Sequence, residues 1–132
     1  MYLTTEPMDR KDISERRKQK RFKAVNGAFA AVRDNANQLG QIRDISFGGL
    51  AFKYLANERI HNGARALDIF ISRHQVYIKN IPFQPVRDTM IEKENPLSTV
   101  SVRQLGVKFG RLNADQLSRL KHMIQHHTIG ES

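Results

Sequence analysis

From Phe22 onward the chain is cut into short runs of branched and aromatic residues separated by turn-forming ones. That pattern admits a meander of antiparallel strands and little else. The runs are Phe22-Lys23-Ala24-Val25 through Val32, then Leu39 to Ile45, then Leu50-x-Phe52-x-Tyr54. Asp34-Asn35 and Asn37 divide the first two, Gly48-Gly49 divides the next two, and Asn62-Gly63 precedes Ala64 to Ile71, where Leu67, Ile69 and Ile71 share a face. Phe22, Phe29, Phe52 and Tyr54 fall on strand positions expected in the core. Val76-Tyr77-Ile78 and Ile81 to Val86 continue the series, with Pro82 and Pro85 restricting this segment to an edge, a bulge or a strand end. Asp88 to Ser98 reads as a polar connection. Between Val100 and Phe109 the alternation slips phase, which predicts a bulge near Arg103-Gln104 with Arg103 solvated.

One helix is expected. Asn113 is its N-cap with Gln116 three residues on, Leu117, Leu120 and Ile124 form one face, and Gly130 follows its end. The fold class is therefore mainly β, a small antiparallel barrel with the C-terminal α-helix packed against it. A chain of 132 residues has room for one such domain. Residues 1–14 read as a flexible lead-in, residues 15–127 as the domain, and residues 128–132 as a C-terminal tail. No uncharged apolar stretch is long enough for a membrane span, and residues 1–10 lack the apolar centre of a signal peptide, so the expected location is the cytoplasm.

The net charge of +9 is unevenly placed, because residues 10–23 hold eight Lys or Arg against two acidic residues. An anionic partner is implied, without a choice among nucleic acid, anionic lipid and a small phosphorylated ligand. Within that stretch Arg17-Lys18-Gln19-Lys20-Arg21 spaces two guanidinium forks as R-x-x-x-R, each able to grip a phosphate or the O6/N7 edge of a guanine. Further on, Asp44-x-Ser46-x-x-Gly49 supplies an acceptor for guanine N–H groups, a hydroxyl, and a glycine for a tight turn. Each motif alone is common in basic chains and in turns. Their order, with twenty-two residues between Arg21 and Asp44, resembles the PilZ family of cyclic di-GMP receptors. Arg43 to Phe52, Val76 to Asp88 and Arg103-x-x-Gly106-Val107-x-Phe109 carry the likeness onward, over roughly residues 15–125.

The resemblance implies a six-stranded antiparallel barrel with a C-terminal helix that binds cyclic di-GMP on its outer surface and passes the signal to an unidentified downstream effector protein. By the motif, Arg17, Arg21, Asp44, Ser46 and Gly49 would contact the ligand, with Arg16, Lys20 and Gly48 as further candidates. No cofactor or metal is implied.

Other chemistry is poorly represented. With no cysteine the chain can build no disulfide, thiol nucleophile or thiolate metal site. His122 and His126 have the i, i+4 spacing of a zinc pair, but they lie off the apolar face with no evident third ligand and read as solvated. His61 and His74 fall in turns, and no Ser-His-Asp or paired-carboxylate arrangement emerges, so no enzyme is expected. Two alternatives remain. One is a basic barrel binding single-stranded nucleic acid, which needs a row of surface aromatics that the pattern does not supply. The other is a PilZ-like adaptor that does not bind nucleotide.

Overall fold

A computed structural model describes residues 20–33, 39–56, 66–93, 95–98 and 100–132. The lead-in, Arg16, Arg17, His61, and the turn residues Asp34, Asn35, Asn37, Asn62 and Gly63 lie outside them. Among the described residues eight strands and one helix follow in order: β1 Phe22–Ala24, β2 Ala28–Val32, β3 Leu39–Ile45, β4 Gly49–Ala56, β5 Ala66–Ile71, β6 Val76–Lys93, β7 Ser101–Phe109, α1 Ala114–His126 and β8 Thr128–Glu131. All pairings are antiparallel. The ring runs β2-β5-β6-β7-β4-β3 and closes through β2 and β3, giving the antiparallel barrel that the strand pattern implied, with the six strands that the resemblance implied. The β1 strand sits on the free part of β3, and β8 sits on β1.

The first apolar run, Phe22 through Val32, is two strands and not one. It breaks at Asn26-Gly27, where Gly27 takes φ +91°, a conformation that L side chains rarely adopt. Inside the barrel Phe52, Ile42, Leu67, Ile69, Ile78, Ile81 and Leu105 are completely buried. Phe29 is not among them. It lies half-buried on the outer face, in register with Phe70 and Tyr77 across β2, β5 and β6. The rings of Phe29 and Phe70 stack at 5.7 Å, Phe70 meets Tyr77 edge-on at 6.5 Å, and Lys79 covers Tyr77 at 5.4 Å. This row is a cross-strand ladder, stacked between Phe29 and Phe70 and edge-to-face between Phe70 and Tyr77.

The stretch from Asp88 to Lys93 is the end of β6, not a polar connection. Its polar residues look like loop because most of them project outward or lie at the barrel's end. The phase slip assigned to Arg103-Gln104 has a different cause as well. β7 pairs β4 without interruption, and the extra residues lie in β6, between Pro85 and Arg87 and between Met90 and Glu92. Arg103 keeps the parity of Leu105 and faces inward. Its Nε donates to Asp88 Oδ1 at 2.7 Å, and the Tyr54 hydroxyl donates to Asp88 Oδ2 at 2.7 Å. Burial first, and then the bond to Asp88, push the Tyr54 hydroxyl up to about 12. The Asp88 carboxylate likewise holds the Arg103 guanidinium more firmly protonated.

The expected capping box closes the start of α1: Gln116 N–H donates to Asn113 Oδ1 at 2.7 Å, and Asn113 N–H donates to Gln116 Oε1 at 2.9 Å. The Gln116 amide nitrogen then donates to the carbonyls of Lys79 and Asn80 at 2.9 and 3.0 Å, docking the helix on a bulge of β6 where Asn80 takes φ +59°. Leu120, Met123 and Ile124 are buried against the barrel, whereas Leu117 faces solvent at 48% exposure. The helical face is narrower than the sequence implies because Gln116 takes the place that Leu117 was expected to fill.

At the C-terminal end of α1 four imidazoles meet, two from the helix, one from its C-cap and one from the β5–β6 turn. Ring centroids of His122 and His126, and of His74 and His127, lie 4.6 Å apart, and those of His122 and His127 lie 5.5 Å apart. Burial, with smaller contributions from His74, His122 and His126, lowers the pKa of His127. Among the described residues no group of three or more His, Cys, Asp or Glu is arranged to hold a metal ion.

Two predictions follow from this core. Asp88→Ala leaves Arg103 enclosed without its counter-charge and should cost about 3 kcal/mol in urea denaturation; a loss below about 1 kcal/mol, the scale of an exposed pair, would show that solvent serves Arg103 equally well. His127 binds its proton less readily folded than unfolded, so stability is full above its ordinary pKa and declines as pH falls through about 6.5. Melting temperature should therefore drop between pH 7.5 and 5.5 by more in the parent than in His127→Gln. Parallel curves would contradict the assignment.

Candidate functional site

The described parts of the two sequence motifs meet where β1 lies on β3. A register shift between Ile42 and Asp44 lets Ile42 pair with Phe52 in the core while Asp44 pairs with Ala51 and Ile45 with Leu50. Because Ile45 is fully buried, the neighbouring Asp44 side chain points to the opposite face. The chain segment entering β1 brings Arg21 to it, with Arg21 Nη1 at 3.5 Å from Asp44 Oδ1. The Asp44 side chain is only 10% exposed, yet Oδ1 is buried without a hydrogen bond, so Arg21 neutralises it without a well-aligned contact. Its other oxygen, Oδ2, accepts from the Ser132 hydroxyl at 3.5 Å.

The turn from β3 to β4 is organised by Ser46. Its hydroxyl oxygen accepts from the N–H groups of Gly48 and Gly49 at 3.1 and 3.2 Å and donates to the Gly49 carbonyl at 3.3 Å. Its backbone N–H donates to the same carbonyl at 2.8 Å. The Gly48 carbonyl in turn accepts from Phe109 N–H at 2.8 Å, tying the turn to the end of β7. At Gly49 a Cβ would run into the Val107 carbonyl of β7, so the glycine is required by strand approach whatever else it does. Ser46 and Gly49 thus have structural work of their own, and within the turn the Ser46 hydroxyl already uses its proton and both lone pairs.

Of the further candidates, Lys20 lies next to Arg21 and faces the Glu131 carboxylate at 4.0 Å, and Gly48 lies in the turn. Arg16 and Arg17 are outside the described residues. Arg103, which the sequence placed in solvent, belongs to the barrel interior and not to this corner. Sequence reasoning missed Glu131, Ser132 and Arg43. The Arg43 guanidinium, at the bulge, donates to Gln104 Oε1 at 2.9 Å and so anchors β3 across β4 to β7. No local pattern marks Ser132, which lies 88 residues from its partner Asp44.

The chain is thus a closed six-stranded β-barrel domain that carries an arginine, an aspartate and a serine-closed turn at one external corner. The PilZ domain model matches residues 15–126, and the chain belongs to the PilZ family. No curated protein sequence matches it significantly. Among solved structures it is similar to the PilZ domain of YcgR from Escherichia coli with c-di-GMP, at 14% identity and TM-score 0.63, covering 83% of this chain and 89% of that one. It is similar as well to K. pneumonia MrkH in its c-di-GMP complex, at 18% identity and TM-score 0.61, covering 83% of this chain and 51% of that one. YcgR of E. coli in complex with c-di-GMP matches at 17% identity and TM-score 0.59, over 83% of this chain and 45% of that one. The chain thus spans about half the length of the larger chains. At such identities the likeness carries the fold.

Gly49→Ala should destabilise the domain by roughly 2 kcal/mol, since an added methyl meets backbone that cannot swing aside. Ser46→Ala should lower the melting temperature by less, because it removes only the hydroxyl's bonds within the turn. Thermal denaturation of the two variants reads the order directly, and an unchanged Gly49→Ala would disprove the close approach of β4 and β7.

Proposed function

We propose that this protein is a non-catalytic receptor for cyclic di-GMP, bound where Arg21 meets Asp44 beside the Ser46–Gly49 turn. The observation that carries the reading is the 3.5 Å approach of Arg21 to Asp44, two residues far apart in sequence. A fork and an acceptor side by side suit a guanine, whose O6/N7 edge accepts while N1 and N2 donate. Arg17, four residues upstream in the sequence, supplies the second fork, and the two phosphates meet the cationic stretch that includes Lys20. Arg16 and Gly48 are further candidates for contact. A downstream protein would read the ligand-bound surface in the cytoplasm.

The single-stranded nucleic acid reading is weaker. Phe29, Phe70 and Tyr77 do form an outer row, but Phe29 stacks on Phe70, Phe70 meets Tyr77 edge-on and Lys79 lies over Tyr77, so among the described residues this row is engaged with itself instead of standing apart as separate stacking platforms. Among the described residues the part-buried Asp88 carboxylate, the natural candidate for acid–base chemistry, is taken up by Tyr54 and Arg103.

Calorimetry with cyclic di-GMP, cyclic di-AMP and GTP tests the proposal. Selective binding of cyclic di-GMP is expected, and equal affinity for cyclic di-AMP would reduce the site to a generic anion patch. Arg17→Ala and Arg21→Ala should each lose about 2 kcal/mol of binding, roughly thirtyfold, with melting temperature little changed in Arg17→Ala and lowered in Arg21→Ala, which leaves the enclosed Asp44 carboxylate without its counter-charge. Arg10→Ala, outside the motif, should bind as the parent does.

A further inference from the structure

On the reading that the Arg21–Asp44 corner takes a cyclic dinucleotide, we propose that Thr128–Ser132 is a displaceable latch that occupies this corner in the free protein and is expelled when the ligand enters. The segment does at the site what a ligand would do. The Ser132 hydroxyl donates to Asp44 Oδ2 at 3.5 Å, the position in which a guanine N–H would donate. The Glu131 carboxylate faces Lys20 Nζ at 4.0 Å, an anion set before a cation as a phosphate would be. Between these two contacts the Ser132 N–H donates to the Arg21 carbonyl at 2.8 Å, and Phe22 is in register with Glu131. The Asp44 carboxylate and the Lys20 ammonium are therefore already engaged by this segment, which is tied down at the Arg21 carbonyl between them. Cyclic di-GMP has to compete for them.

The latch is built to be weak. β8 has four residues, three of them exposed, and pairs on one side with a strand of only three. Its register on β1 is broken, with Phe22 opposite Glu131 but Ala24 opposite Thr128, and Gly130 takes up the extra residue at φ +121°. Side chains of the Lys20–Glu131 pair are 73% and 62% exposed, so solvent screens most of their attraction. Segments with few buried contacts and exposed backbone bonds open first. Expulsion would also uncover the β1 edge from Phe22 to Ala24, a row of unpaired backbone groups able to receive a strand from a partner. Ligand binding would in this way change the surface several residues away from the ligand.

The test uses the full chain and the double substitution Glu131→Gln with Ser132→Ala. By calorimetry the variant should bind cyclic di-GMP about threefold to tenfold more tightly than the parent, the scale expected for removing one exposed ion pair and one hydrogen bond from a competitor. Hydrogen exchange of the parent needs no variant: amides of residues 129–132 should exchange faster once cyclic di-GMP saturates the protein. Equal or weaker binding by a variant of unchanged melting temperature overturns the latch, because β8 would then support the site or ignore it. Protection of 129–132 that persists or rises on saturation overturns it too. Binding by the variant where the parent shows none is the strongest support. If neither protein binds, the receptor reading itself fails and the latch falls with it.

Discussion

Closing this barrel requires β3 to change neighbours half-way along its length. Leu39 to Gln41 pair with β2 and complete the ring, whereas Asp44 and Ile45 pair with β1 outside it. A strand can divide itself in this way only if it bends sharply, and the irregularity between Ile42 and Asp44 provides the bend. Closure also presses β3 and β4 together so tightly that a Cβ at Gly40 would overlap the Lys53 carbonyl. Everything at the candidate site descends from that bend. It turns Asp44 to the outside while Ile45 stays in the core, and it opens the edge of β3 on which β1, with Arg21 just ahead of it, can lie.

Much of this architecture was legible in the sequence because it rests on local rules. Alternation located most strands, Asn113 and Gln116 announced the cap, and Asp44-x-Ser46-x-x-Gly49 announced a turn. What escaped was nonlocal. Arg103 and Asp88 each looked solvated because a charge is usually outside, and only their mutual pairing, fifteen residues apart, makes the interior acceptable to both. The β8 strand escaped because Thr-Ile-Gly-Glu has no alternation to read, and its partner lies at the other end of the sequence. Leu117 misled because periodicity cannot distinguish an apolar residue that is buried from one that is merely apolar.

The corner also shows why matching a motif is an incomplete account of a site. Ser46 and Gly49 would be required by the β3–β4 turn and by the approach of β7 even in a protein that bound nothing. Asp44 and Arg21 are different: one carries a buried oxygen without a hydrogen bond, the other approaches it without good alignment. That imperfection is the feature on which the proposed ligand contact rests.

The joint between helix and barrel has a consequence of another kind. Gln116 satisfies three backbone groups at once, and its amide nitrogen faces two carbonyl oxygens. Hydrolysis of that amide to a carboxylate would set oxygen against oxygen, so one slow chemical change, common in ageing proteins, would loosen α1 from β6 without altering the chain's shape or size. The same packing that makes the amide indispensable keeps water from it, since the residue is only 8% exposed. The helix stays docked for as long as the barrel beneath it keeps that glutamine dry.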